Sequence, residues 1–258
     1  MKFTTLTNIA LRSLLLEASW NNQGQQNLGL AAAIDPGLKL IYGPGEALKS
    51  ARERAVGFFN TNPILSGLAI GVTLKLEEDV AAARISAGDR VRMSAGLNRA
   101  LAALGDALFW QSWLPFCGLA AVWAVLSLGY WWTPLILPAL FCLPAVPLRL
   151  GGLYLGYRRG EKVVDLLFRI KAQRLSLWLR RGVALLTGVS TVILIFTKAP
   201  VERTFSRGGL WATLALITAG VVCLRLTTRR AQAISFWYPL LLMAGACAFL
   251  ICLDAFAD

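Results

Sequence analysis

Histidine is absent from this chain of 258 residues. Its absence excludes Ser-His-Asp and Cys-His nucleophile systems, HExxH zinc sites and any phosphohistidine carried by the chain itself. Acids are scarce, 14 against 26 Lys and Arg, and charged residues of all kinds make up only 16%. The five cysteines, Cys117, Cys142, Cys223, Cys247 and Cys252, form no CxxC pair and lie in or beside apolar runs. They read as small buried hydrophobes rather than metal ligands or a disulfide framework, and no cofactor or metal is expected. A cleavable signal is not expected either, because Arg12 and Glu17 interrupt the apolar stretch from Ile9 to Ala18; the N-terminus is expected in the cytoplasm.

What the chain has in abundance is apolar surface: 57% hydrophobic residues and a mean hydropathy of +0.60, above the range of soluble domains. The net charge of +12 flanks apolar segments and is not interleaved with stacking aromatics on a polar face, so the expected partner is a lipid bilayer and not nucleic acid. The expected fold is an all-α integral membrane protein, with N-terminal amphipathic helices over residues 1–112 and about four to five membrane-inserted segments over 113–258.

In the first region, Leu11, Leu14, Leu15 and Ala18 follow helical spacing, as do Leu48, Ala51, Ala55, Phe58 and Phe59, with a stop near Asn62 imposed by Pro63. A third helix follows Pro63, with Leu65, Leu68, Ala69, Val72 and Leu76 on one stripe. It carries Gly67 and Gly71 four apart, a spacing that permits close approach of another backbone. Glu77, Glu78 and Asp79 would stand unfavourably at its negative end, so either the helix runs on or the acids have another role. A fourth helix carries Met93, Leu97, Ala100, Leu101 and Leu104 and leads to Gly105 and Asp106.

Residues 113–132 are twenty in number and uncharged, about 30 Å of helix, with Trp113, Tyr130, Trp131 and Trp132 as interfacial anchors. Residues 133–148 contain four prolines and read as a short kinked or re-entrant segment. Further candidate spans cover 182–197, 208–224 and 235–253. Residues 149–181 carry nine Lys or Arg against two acids and read as a basic cytoplasmic linker, and alternation then puts the C-terminus outside.

Five strings stand out in order: RSLLLEASWNNQGQQNLGL at 12–30, FFNTNP at 58–63, GVTLKLEE at 71–78, GDALFW at 105–110 and YLGYRRGEKVV at 154–164. Together they resemble the IID component of the mannose, fructose and sorbose phosphotransferase-system permeases over roughly residues 5–200. The resemblance implies a subunit of the bacterial inner membrane that pairs with a IIC subunit and translocates a hexose. It implies too that separate IIA and IIB proteins carry the phosphoryl group on histidines, which fits a chain that has none and is itself no enzyme. Two departures stand beside it: Asn98 and Arg99 occupy positions that the family keeps small or apolar, and the C-terminal half is reduced. The second motivates an alternative, a non-transporting regulatory or assembly partner of IIC.

A sugar needs amide donors and acceptors for its hydroxyls and an aromatic face for its ring. Trp20 with Asn21, Asn22, Gln25 and Asn27 supplies both, although the same amides could cap helices and shape a loop. Asn60, Thr61 and Asn62 have the composition of a turn before Pro63, or a role in the site. Glu77 and Glu78 could bind hydroxyls, meet a basic partner surface or form an exposed acidic patch. Asp106, just before Leu108, Phe109 and Trp110 at the bilayer edge, requires a hydrogen-bond partner and is expected to cap a helix or bond across the subunit interface. Arg149, Arg158, Arg159 and Lys162 read as headgroup anchors or contacts to an acidic IIB surface.

Overall fold

The computed structural model describes residues 1–128, 133–163, 166 and 172–198. Among them every regular element is helical: α1 (Phe3–Ser13), α2 (Asn27–Tyr42), α3 (Glu46–Ala55), α4 (Ser66–Ala81), α5 (Ala87–Gly105), a π-helical segment (Asp106–Trp113), α6 (Leu114–Leu128), α7 (Thr133–Arg159), a 3-10 turn (Gly160–Lys162) and α8 (Ala172–Lys198). The chain divides into two compact units, Met1–Leu185 and Leu186–Asp258. The functional residues discussed below all belong to the first.

The closest helix pair is α4 with α7, and glycine makes it possible. A Cβ on Gly67 would lie 1.9 Å from the Arg149 carbonyl oxygen, and one on Gly71 2.2 Å from that of Leu153. On the opposing helix a Cβ on Gly156 would lie 2.4 Å from the Leu68 carbonyl oxygen. Two Gly-x-x-x-Gly pairs, Gly67 with Gly71 and Gly152 with Gly156, thus bring two backbones into direct contact, the geometry that small residues give membrane helices. Around this axis Ile9 of α1, Ile34 and Leu38 of α2, Ile70 and Leu74 of α4, Leu101 of α5 and Leu153 of α7 are fully buried.

α5 starts at Ser86, whose Oγ accepts the Asp89 backbone N–H at 3.0 Å, a standard N-cap. It does not end at Gly105. The helical course passes through the π segment into α6, so that Ala87–Ala124 is one 38-residue stretch apolar and long enough to cross a bilayer; Pro134–Lys162 is a second, of 29 residues. Only 22% and 11% of their most apolar windows are buried within the chain. Helices of a soluble core bury that surface, so these present it to lipid or to another subunit. The π register is held by Ser112, whose Oγ donates to the Ala107 carbonyl five residues back at 2.6 Å, while Ser176 of α8 donates to the same oxygen at 2.9 Å.

Several sequence expectations change. Leu11, Leu14 and Leu15 do not face the core: α1 ends at Ser13, and its buried face is Leu6, Ile9, Ala10 and Ser13, which leaves those three leucines exposed. α3 ends at Ala55, so Phe58 and Phe59 lie beyond it, Phe58 exposed and Phe59 buried. α2 was not anticipated, because Pro36 and two glycines dilute its pattern, although Pro36 sits within the helix. The proline-rich residues 133–148 are the first part of the 27-residue α7 and not a short re-entrant piece; Pro138, Pro144 and Pro147 lie within the helix, ahead of the part that packs on α4. Residues 149–159 and 172–181 of the expected linker are helical, in α7 and α8. Tyr130, Trp131, Trp132 and the segments 208–224 and 235–253 lie outside the described residues.

The glycine contact predicts that Gly71→Val and Gly156→Val each destabilise the protein by at least the ~1–3 kcal/mol of an overpacked core. Thermal unfolding of the detergent-solubilised protein measures this; Gly96→Val, at a position where a Cβ meets nothing within 4 Å, should leave the transition nearly unchanged.

Candidate functional site

A polar cleft of about 230 Å³ opens where α5 enters the π segment, lined by Glu17, Trp20, Gln26, Asn60, Thr61, Asn62, Pro63, Ala102 and Asp106. Drug-sized pockets run to ~300–1,000 Å³, so this one matches a small polar molecule. A larger groove, about 360 Å³ between α4 and α5, is lined by Val72, Leu76, Met93, Gly96, Leu97, Ala100 and Glu161 and offers a polyhydroxyl ligand little beyond one carboxylate.

Two extended pieces of chain form the cleft. The turn between α1 and α2 closes on itself through paired backbone bonds between Asn21 and Gln25, and the Gln26 N–H donates to the Phe59 carbonyl at 2.9 Å. Gln25 holds φ 60°, a left-handed conformation uncommon for a residue with a side chain. The Gln26 side chain then fastens the second piece: its Oε1 accepts the Thr61 N–H at 2.9 Å and its Nε2 donates to the Thr61 carbonyl at 2.8 Å. The same Nε2 donates to Glu17 Oε1 at 2.6 Å.

Asn62 closes the far side. Its Oδ1 accepts the Ile64 N–H at 3.0 Å, which fixes the turn into α4, and its Nδ2 donates to Asp106 Oδ1 at 2.9 Å. Gly105 allows this approach, since a Cβ there would lie 2.3 Å from that of Asn62. Asp106 is the first residue of the π segment, and such bulges recur at functional sites because they re-aim a side chain out of the α register. Thr61 is buried, and its Oγ1, out of contact with solvent, has no hydrogen-bond partner among the described residues. Trp20 is half exposed at the rim.

Of the residues singled out in the sequence, the cleft gathers Trp20, Asn60, Thr61, Asn62 and Asp106. Asn21 and Asn27 instead build the turn: Asn21 Oδ1 accepts the Gly24 N–H, and Asn27 Nδ2 donates to the Val56 carbonyl at 2.6 Å. Gln25 Nε2 donates to the Asn22 carbonyl, within the same turn. Trp110 stacks on Phe141 with centroids 5.8 Å apart, away from the cleft. Glu17 and Gln26 were missed. Glu17 sat inside an apparent amphipathic helix, and Gln26 was one amide among many; their positions in a shared motif with Trp20 were the available signal.

Glu77 and Glu78 are not an exposed patch. α4 runs on past them to Ala81, and Glu77, completely buried, is enclosed by Arg54 Nη2 at 2.7 Å, the Tyr42 hydroxyl at 2.8 Å and Arg90 Nε at 2.7 Å. The Arg90 contact is an ion pair without an aligned hydrogen bond. Burial opposes the charge of Arg54, but the hydrogen bond and charge of Glu77 outweigh it and hold the guanidinium above its ordinary value. The Tyr42 hydroxyl is pushed well up, by burial first and then by donating to the Glu77 carboxylate. Glu78 accepts from the Tyr157 hydroxyl of α7 and pairs with Lys75 at 3.2 Å. Arg149, expected at the headgroups, is largely inward: its Nη2 donates to the Ser13 carbonyl at 2.7 Å and so caps α1 just ahead of Glu17.

Among the described residues the chain combines two helical stretches long and apolar enough to cross a membrane with a small polar cleft. The profile described as PTS system mannose/fructose/sorbose family IID component matches residues 1–194. The chain belongs to that family, whose members are membrane proteins. It is 35% identical over 162 residues to the mannose-specific EIID component of Escherichia coli K12, covering 62% of this chain and 56% of that one. It is 33% identical over 171 residues to the fructose permease IID component of Bacillus subtilis, covering 64% and 60%. The sorbose-specific EIID component of Lacticaseibacillus casei is 35% identical over 150 residues, 57% and 52% of the two chains. The match thus spans little more than half the length of these curated relatives. Among solved structures, one titled only as a membrane protein superposes with a TM-score of 0.69 at 26% identity, covering 97% of both chains. A cryo-EM structure of the mannose transporter ManYZ with microcin E492 superposes with a TM-score of 0.59 at 27% identity, covering 98% and 97%.

Removing the Glu77 carboxylate leaves two buried guanidinium groups without a counter-charge. Glu77→Ala should therefore cost about 3–5 kcal/mol, and Arg90→Ala, which leaves Arg54 paired with Glu77, clearly less. Denaturation midpoints of the two variants give the ordering.

Proposed function

We propose that this chain binds a hexose of the mannose, fructose or sorbose type and translocates it across the bacterial inner membrane as the IID subunit of a phosphotransferase permease, together with a IIC subunit. The observation that carries this reading is the cleft: two carboxylates, three amide side chains and a half-exposed indole around a volume of about 230 Å³. These are the groups that hold sugar hydroxyls while an aromatic face covers the apolar side of the ring. Glu17, Trp20, Gln26, Asn60, Thr61, Asn62 and Asp106 form the sugar site.

Phosphorylation takes place on partners. A sugar hydroxyl oxygen attacks the phosphorus on a histidine of IIB, which IIA supplies; the nitrogen–phosphorus bond breaks as the oxygen–phosphorus bond forms, and the hydroxyl proton passes to the departing imidazole or to solvent. This chain, without histidine, binds and presents the sugar and is not the phosphodonor. The N-terminal region, residues 1–112, packs with IIC, and its exposed Leu15 and Phe58 supply apolar surface for that contact. The basic residues of 149–181 place their end of α7 and the N-terminus on the cytoplasmic side, with the C-terminus outside.

The test is sugar phosphorylation and uptake in membranes holding the cognate IIC and phosphorylated IIB, with and without this chain, over a panel of hexoses. Uptake that requires the chain supports the reading; uptake independent of it for every sugar overturns it in favour of an assembly or regulatory partner. In the complete system Asp106→Ala should raise the half-saturating sugar concentration roughly ten- to a hundred-fold, the loss expected for hydrogen bonds to a charged group. Tyr42→Phe, remote from the cleft, should leave that concentration unchanged.

A further inference from the structure

The charge of the cleft is unbalanced. Glu17 and Asp106 line it, and no Lys or Arg does. Each carboxylate accepts from a neutral amide, Gln26 at 2.6 Å and Asn62 at 2.9 Å, and neither forms an ion pair among the described residues. The buried cations stand outside the lining: Arg54 and Arg90 enclose Glu77, and Arg149, whose charge also acts on Glu17, spends its hydrogen bond on the Ser13 carbonyl. Built this way, the cleft accepts hydrogen bonds from a neutral polyol, and its lining offers a phosphate group no cation. A phosphomonoester carries about −1.5 to −2 charges at neutral pH.

We infer that Glu17 and Asp106 are specificity-determining residues that hold the unphosphorylated sugar and expel its phosphate ester, so that phosphorylation itself releases the product. This rests on the sugar-site reading given above and extends it to the direction of transport. Neutral sugar binds through hydroxyl-to-carboxylate hydrogen bonds; once it carries a phosphate, the same carboxylates repel it. Return of the product through the cleft is blocked by the charge that retains it in the cell.

The experiment measures binding of mannose, fructose, sorbose and mannose 6-phosphate to the chain with its IIC subunit in nanodiscs of neutral lipid, without IIB. For the native chain, mannose 6-phosphate should bind at least several hundred-fold more weakly than mannose, roughly the factor that a phosphate of about −1.5 charges meets about 7 Å from one carboxylate at an effective dielectric constant of about 20. Raising the ionic strength should narrow the gap by screening. Glu17→Gln and Asp106→Asn should each weaken mannose binding yet bring the two affinities closer, and the double variant should bring them closest. Equal affinity of the native chain for both ligands overturns the inference, as does a ratio that neither salt nor neutralisation changes. The salt arm needs only the native chain and decides the matter even where a variant does not fold. No binding of mannose, fructose or sorbose at all overturns the sugar-site reading itself, and this inference with it.

Discussion

Backbone contact between α4 and α7 is the constraint on which the rest of the first unit depends. With glycine at 67, 71, 152 and 156 the two helices meet without intervening side chains, so their register is set by carbonyl and amide positions and has little freedom. That register places Arg149 against the end of α1, Tyr154 against Thr7 at 2.8 Å and Tyr157 against Glu78. It also fixes the start of α4, and hence Asn62, opposite Asp106. The polar cleft is a consequence of an apolar, side-chain-free contact one helix away.

The two clusters of charge have different physical tasks. Around Glu77, one carboxylate serves two guanidinium groups and a tyrosine, fully out of contact with solvent; its value lies in fixing α2, α3, α4 and α5 relative to one another, since any member left alone would be a buried uncompensated charge. At the cleft, two carboxylates accept from neutral amides and form no ion pair among the described residues. The first arrangement spends its hydrogen-bonding capacity on the protein, the second leaves capacity over.

The helical, membrane-embedded character was legible in the sequence because long uncharged runs and flanking basic residues leave few alternatives. The close glycine contact was legible as spacing in Gly67 and Gly71, though not its partner, since pairing across eighty residues is not a local property. Trp20, Asn60, Thr61, Asn62 and Asp106, which the structure brings to one cleft, were singled out through amide and aromatic composition next to short motifs. Their separation from Asn21 and Asn27 was not legible: whether an asparagine caps its own turn or faces a cavity depends on backbone geometry a few residues away. Glu77 could not be placed because its cations, Arg54 and Arg90, are distant in sequence and read locally as solvated charges. The prolines of 133–148 lie within α7, which continues through Arg159; proline punctuation marked a break there that the helix does not make.

The central claim is that the cleft between Trp20 and the Asn62–Asp106 pair is where the sugar sits. A cryo-EM map of the complex with its IIC subunit in a lipid nanodisc, recorded with and without saturating hexose, tests it most directly. The account predicts ring-shaped density that appears with hexose, flanked by the Trp20 indole on one side and by Asp106 and Gln26 on the other. An unchanged, empty cleft alongside sugar density elsewhere in the complex would contradict it.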